Sequence, residues 1–360
     1  MDPLNIDEYS RQAAGRLPQM VFDYYEGGAD DEITVRENRR AWQQIAFRPR
    51  VLADVSRRDM RTTVLGTPVS FPVLTGPCGF NALAHPDGEL AVARAATAAG
   101  TIQVVSTAAT YSLEEVAAAA PDGVRWFQLY CYRDRGVTRS LVERAVAAGY
   151  RALCLTVDTP VVGHRERDIR NQFGLPPGLR WKNLEAAGLD KMEAGGDGSA
   201  LARYIEQIWD ASLTWEAVDW LRSLSPLPLV LKGVLTAEDA RLAVSHGVSG
   251  IVVSNHGGRQ LDGAIATAMA LREIVDAVGS TLEVYVDGGI RRGSDVLKAL
   301  ALGARAVLIG RPYLWGLAVD GQAGVARVLG LLRTELDLCM SLSGRPMLAD
   351  IGRDLITSHI

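Results

Sequence analysis

The sequence predicts an α/β fold, a closed (β/α)8 TIM barrel, and three observations carry that expectation. Short β-branched apolar runs alternate with Ala-rich helical stretches about eight times. The runs are apolar throughout, as strands of a parallel sheet covered on both faces must be. Polar residues stand at the carboxyl end of nearly every run, where a barrel of this kind builds its site. An open doubly wound sheet is the competing architecture.

The elements follow in order. Residues 1–65 read as a helical and irregular N-terminal cap. Val73-Leu74-Thr75 is the first barrel strand, followed by a helix around Leu90 to Ala99. Ile102–Val105, Trp126–Tyr130 and Ala152–Val157 are strands two to four, with an Ala-rich helix before Gly149. Leu229–Lys232, Ile251–Val253, Val284–Val286 and Ala306–Ile309 are strands five to eight, with helices over Ala237–His246 and Ser294–Ala301 among them. One interval breaks the rhythm. Residues 160–214, after strand four, are rich in Gly, Pro and charge, with Leu175-Pro176-Pro177-Gly178 and Glu193–Gly198 inside them. A long insertion there is either unstructured or a cover over the active-site mouth, and its position after a strand favours the cover. The chain, 1–360, reads as one domain.

Composition narrows the function. The 360 residues are 48% hydrophobic and 22% charged, with a formal net charge of -4 and no basic block, so nucleic acid is not an expected partner. Cys78, Cys131, Cys154 and Cys339 are scattered without a CxxC pair, so no metal site or disulfide framework is expected and a reducing cytoplasm fits. Met1–Asn5 does not read as a signal peptide, Ser358–Ile360 is no targeting signal, and no apolar run is long enough to span a bilayer.

The strand ends carry the chemistry. They supply Gly76-Pro77-Cys78-Gly79, Ser106, Gln128 with Tyr130, Thr156 with Asp158, Lys232, Ser254 with His256, Asp287-Gly288-Gly289 with Arg291, and Gly310-Arg311. One polar strand end can be a helix cap, but eight in register form a site. Gly-rich turns and arginines after strands seven and eight suit a phosphate group. Ser106, Gln128, Thr156 and Lys232 suit a flat, hydrogen-bonding heterocycle, and a buried Lys can stabilise negative charge on it. Lys232 can equally be half of a buried ion pair. The most informative stretch is Ser254-Asn255-His256-Gly257-Gly258-Arg259-Gln260, which sets a proton acceptor beside an anion clamp. A lone His is otherwise most simply a hydrogen-bonded core imidazole.

On these motifs, with Phe127–Tyr130, Leu155–Pro160, Lys232-Gly233-Val234 and Asp287–Gly293, the chain resembles the FMN-dependent 2-hydroxy-acid oxidases and dehydrogenases, the family of glycolate oxidase, lactate oxidase and mandelate dehydrogenase. The resemblance spans almost the whole chain. It implies FMN as cofactor and His256 as the base, with Asp158 stabilising its imidazolium. It implies Arg165, Arg259 and Tyr24 at the substrate carboxylate and Tyr130 at the substrate hydroxyl. Lys232 would sit by the flavin N1 and O2. Pro77, Cys78, Gly79, Ser106, Gln128, Thr156 and Ser254 would line the ring. Asp287 would hold the ribityl chain, and Gly288, Gly289, Arg291, Gly310 and Arg311 the phosphate. A homo-oligomer, often a tetramer, is also implied.

Departures from the family pattern bear on substrate and acceptor. Ala108 stands where glycolate oxidases carry Trp, and Phe80 where a less aromatic residue is usual. Both point to a bulky aryl (S)-2-hydroxy acid, mandelate or 4-hydroxymandelate, as in hydroxyphenylglycine biosynthesis. Gly79 stands where oxidases carry Ala, which leaves O2 or another electron acceptor open, as well as a glycolate- or lactate-type activity. Two further classes compete. A non-oxidative nucleotide or diphosphate barrel would share only the Asp287-Gly288-Gly289 motif, and a non-catalytic binding protein would not need the full set of polar groups.

Overall fold

The computed structural model describes residues 2–192, 198–278 and 281–357. Eight parallel strands close a barrel. They are β1 (Val73–Thr75), β2 (Ile102–Val105), β3 (Val124–Leu129), β4 (Ala152–Thr156), β5 (Leu229–Val234), β6 (Gly250–Val253), β7 (Glu283–Val286) and β8 (Ala306–Ile309). β8 pairs with β1 through Val307–Val73 and Leu308–Leu74, which closes the ring. The expected strands are all present, and the barrel rather than the open sheet is the architecture. The register of β5 slips between Lys232 and Val234 at a bulge.

Alternation along each strand sorts the interior. Leu74, Val104, Trp126, Cys154, Val230, Val252, Tyr285 and Leu308 form one buried cluster inside the barrel. Two residues further along each strand, on the same face, stand Gly76, Ser106, Gln128, Thr156, Lys232, Ser254, Asp287 and Gly310. Strand periodicity therefore carries the apolar barrel core directly into a polar layer at the mouth.

The lower end of the barrel is sealed by a hairpin, Thr62–Val64 with Thr67–Val69. Val64 and Val69 belong to the interior cluster. Glu283 accepts from the Leu65 amide, and Arg305 donates to the Thr63 carbonyl. Sequence patterning placed residues 62–64 in the cap; they belong to the barrel floor.

The cap contains helices α1 (Ile6–Arg16), α2 (Gln19–Glu26) and α3 (Ile33–Gln44). The wall helices are α4 (Gly88–Ala98), α5 (Leu113–Ala119), α6 (Arg135–Ala147), α9 (Trp215–Leu224), α10 (Ala237–Ser245), α11 (Thr267–Val278), α12 (Gly293–Leu302) and α13 (Arg311–Ser343), the last broken at Asp320–Gly321. Within the 160–214 insertion lie α7 (Glu166–Arg170), a 3-10 turn at Lys182–Ala187 and α8 (Ala200–Ile208). The described part of the insertion thus contains three short helical elements joined by loops; the 193–197 stretch and Ser358–Ile360 lie outside the described residues. Among the described residues no helix is long and apolar enough to cross a membrane.

Candidate active site

The polar layer lies under a cleft at the barrel mouth. Two hydrogen-bonded groups make up this layer. Ser106 Oγ donates to Gln128 Oε1 (3.2 Å), and Gln128 Nε2 donates to Thr156 Oγ1 (2.9 Å). Lys232 Nζ donates to Ser254 Oγ (2.9 Å) and lies 3.3 Å from Asp287 Oδ2. Lys232 is therefore both a cleft residue and half of a buried ion pair. Burial opposes its charge, but Asp287 and Asp158 outweigh it and raise its pKa.

His256 sits above this floor with φ +57°, in the left-handed region. Its Nδ1 lies 2.8 Å from Asp158 Oδ1, and its amide donates to Ser254 Oγ. Burial lowers the His256 pKa more than Asp158 raises it, so the imidazole is neutral near pH 7 and Nε2 is the nitrogen left to accept a proton. Burial would raise Asp158, yet the charges of His256 and Lys232 hold it down at about 2. Thr159 Oγ1 donates to the same Asp158 oxygen at 2.9 Å. This is the paired geometry of a base and its orienting carboxylate.

Arg165, Arg259, Tyr24 and Tyr130 share the cleft wall near His256. Arg165 donates to the Arg259 carbonyl and to Gln260 Oε1. Arg259 Nη1 donates to the carbonyls of Tyr24 and Gly27, and its guanidinium stands 5.1 Å from the Tyr24 ring centre. Burial and the neighbouring charge of Arg259 pull Arg165 down to about 10, against the opposing charge of Asp168. Burial raises Tyr24 to about 12, and it also raises Tyr130, so both phenols are hydrogen-bond donors at neutral pH.

At the other end lie Asp287, Gly288, Gly289, Arg291, Gly310 and Arg311. Arg291 is buried and 4.7 Å over the Trp315 ring. Arg311 donates to the carbonyls of Tyr25, Gly257 and Gly27, which ties the cap to the cleft. Burial and the mutual repulsion of these arginines pull Arg291 down to about 10. The helix start at α12 is less open than its motif suggests. Asp295 accepts from the amides of Arg291 and Arg292, and Glu335 accepts from Gly293.

All the site residues expected from the sequence fall on or beside this cleft. Pro77, Cys78, Gly79, Phe80 and Ala108 line one side, and Ser106, Gln128, Thr156 and Ser254 lie buried in the polar layer beneath it. The sequence reading missed Thr159. It also missed the apolar roof of Val162, Trp181, Leu201, Ile205 and Trp209. Leu201, Ile205 and Trp209 are four apart, one face of α8 and its end, and that spacing was a usable signal. Trp181 donates from Nε1 to the Thr107 carbonyl, and nothing local in sequence announces it.

Residues 13–358 match the family described as FMN-dependent dehydrogenase. The chain belongs to that family. Its cofactor is FMN, and it is an oxidoreductase of the 2-hydroxy-acid-oxidising group. An L-lactate oxidase from Nostoc sp. is 57% identical over 98% of both chains. A glycolate oxidase from Spinacia oleracea is 52% identical over 100% of this chain and 96% of its own. Among solved structures, a mandelate oxidase with (S)-4-hydroxymandelic acid superposes with a TM-score of 0.93 at 42% identity, covering 99% of this chain and 98% of its own. A soluble mutant of the membrane-associated (S)-mandelate dehydrogenase from Pseudomonas putida gives 0.91 at 44%, covering 99% of both.

The cleft of this FMN-dependent dehydrogenase fits the cofactor on its own chemistry. Buried Arg291 Nε and Asp287 Oδ1 have no protein partner. An unpaired buried donor and an unpaired buried acceptor are costly unless a ligand meets them. A phosphate and a ribityl hydroxyl supply the complementary atoms.

Proposed function

We propose that this enzyme oxidises an aryl (S)-2-hydroxy acid, mandelate or 4-hydroxymandelate, to the 2-oxo acid, with O2 reduced to H2O2. The observation that carries the aryl assignment is the division of the cleft. Arg165, Arg259, Tyr24, Tyr130 and His256 form a polar corner, while Ala108, Trp181, Leu201, Ile205 and Trp209 form an apolar one. A substrate with a carboxylate and hydroxyl at one end and a ring at the other satisfies both corners. Ala108 leaves room where a larger side chain would close it. The mandelate-oxidising structural neighbours support the same reading.

In this reading Arg165 and Arg259 take the carboxylate, since a guanidinium fork matches it bidentately. Tyr130 donates to the substrate hydroxyl oxygen and follows it as it becomes a ketone. His256 Nε2 accepts one substrate proton, and Asp158 stabilises the resulting imidazolium. Lys232, Gln128, Thr156 and Ser106 hold the flavin ring, Asp287 the ribityl chain, and Arg291 and Arg311 the phosphate. FMN bound there supplies the two-electron acceptor. O2 then takes up two electrons and two protons as H2O2. A soluble acceptor in place of O2 is the alternative for the second half of the cycle, because Gly79 stands where oxidases of the family carry Ala.

A short-chain acid such as lactate is the second reading, favoured by the 57% identical relative. The test is anaerobic flavin bleaching with a panel of glycolate, lactate, (S)- and (R)-mandelate and (S)-4-hydroxymandelate, followed by air and a peroxide assay. The aryl (S)-acids are expected to bleach fastest. Ala108→Trp is expected to raise their KM at least about 10-fold, since the loss of a fitted apolar contact is worth ~1–3 kcal/mol. Bleaching by glycolate or lactate alone overturns the aryl assignment, and absence of peroxide overturns the O2 assignment.

A further inference from the structure

Helix α3 of the cap touches the catalytic loop and the loop after β7 at the same time. Its N-terminus lacks a cap of its own, because Glu32 is left-handed (φ 58°) with no side-chain cap bond. Asp262, six residues after His256, caps it instead and accepts from the amides of Ile33 and Thr34. Thr34 Oγ1 donates to the Ala264 carbonyl. One turn on, Asn38 and Asn255 exchange reciprocal bonds: each Nδ2 donates to the other's Oδ1 at 2.8 Å.

Three further bonds hold the pair. Asn255 Oδ1 also accepts from the Gly258 amide, and Asn255 Nδ2 also donates to the Ile265 carbonyl. Asn38 Oδ1 also accepts from the Thr267 amide. Thr267 Oγ1 then donates to the Asp287 carbonyl at 2.6 Å. Trp42, one turn beyond Asn38, donates from Nε1 to the Gly288 carbonyl. Asn38 and Asn255 are 2% and 4% exposed, so water cannot replace a lost partner. A buried network of this kind specifies one arrangement, and breaking it is costly.

We propose that Asn38 is a positioning residue: through the reciprocal amide pair with Asn255 it holds His256 in its left-handed backbone conformation, and through Thr267 it ties that geometry to the cofactor-binding loop at Asp287–Gly289. A left-handed non-glycine residue persists only where its surroundings over-determine it. His256 follows Asn255 directly, so Asn255 is the handle by which α3 fixes it. The cap then does more than cover the mouth: FMN binding and the aim of the base become coupled through one side chain. This rests on His256 being the proton acceptor.

The test uses Asn38→Ala, Asn255→Ala and the double variant in the full chain. Flavin fluorescence of the apoprotein gives the FMN dissociation constant, and anaerobic stopped flow of the FMN-saturated protein gives flavin reduction against pH. Each single variant is expected to weaken FMN and slow reduction about 10-fold, and to move the acid limb of the pH profile. The double variant is expected to lose less than the product of the two single losses, because the singles share the Asn38–Asn255 pair. Additive losses, or singles that lower thermal stability while leaving the FMN constant and the pH limb in place, overturn the proposal. Bleaching that survives in His256→Ala sinks the assignment of the base instead, and is read separately.

Discussion

In the proposed mechanism His256 is a base by virtue of its surroundings. Burial lowers its pKa below the ordinary 6.5, and Asp158 fixes which nitrogen faces the cleft. The imidazole must be neutral to accept a proton, so kcat/KM is expected to be flat near pH 7–8 and to fall as pH drops through a value below 6.5. Asp158 is the neighbour that raises this value, so Asp158→Asn is expected to move the acid limb further down. The same variant is expected to lower the plateau by ~10²–10⁴-fold, the range that a positioned base contributes. A pH-rate profile of both proteins checks the sign, and a limb that moves upward refutes it. His256→Ala is expected to keep FMN and lose bleaching. At this scale the sequence was legible wherever a residue sits at a strand end, because inward positions recur every second residue. Thr159 and Asn38 were not legible. Thr159 bonds its neighbour Asp158 but meets His256 97 positions away, and Asn38's partner lies 217 away; a Thr or an Asn has no local pattern that points so far.

Among elements, α3 and the loop after β6 are packed as one unit, and glycine makes it possible. A Cβ at Gly258 would stand 2.7 Å from the Val35 amide nitrogen, and its φ is +78°. Gly258→Ala is therefore expected to destabilise the protein by roughly 2 kcal/mol or more, through strain and clash together. A lowered urea midpoint would show it; an unchanged midpoint would mean α3 can retreat without cost. The same contact explains why α3 begins without a readable cap: its capping carboxylate, Asp262, comes from another segment. The 160–214 insertion was half legible for a related reason. Its position after a strand suggested a cover, but α8 is held by the burial of Leu201 and Ile205 over the mouth, which composition does not record.

For the whole molecule, the barrel was predictable because parallel strands buried on two faces leave an unbroken apolar signature. The hairpin at its floor was not, since three-residue strands fall below any periodicity. The two arginines near Asp287 and the two near His256 leave positive charge concentrated around one cleft. FMN relieves part of that repulsion, so the apoprotein is expected to melt lower. Free FMN at a hundred times its dissociation constant contributes ~2.7 kcal/mol, a shift of several degrees. A melting temperature that does not respond to FMN concentration refutes this.

The ends of the chain meet beside the cap. Ala46–Phe47, just after α3, pairs antiparallel with Ile356–Thr357. During synthesis on the ribosome, the segment that steadies α3 is therefore among the last to emerge. Residues 2–44 must wait for β6 to supply Asp262 and Asn255, and for the final strand to anchor their exit. The nascent chain can build its barrel walls progressively, but this pairing forms only after all eight barrel strands have been made. Non-local pairings of this span are slow to form, so cofactor capture belongs to the end of maturation.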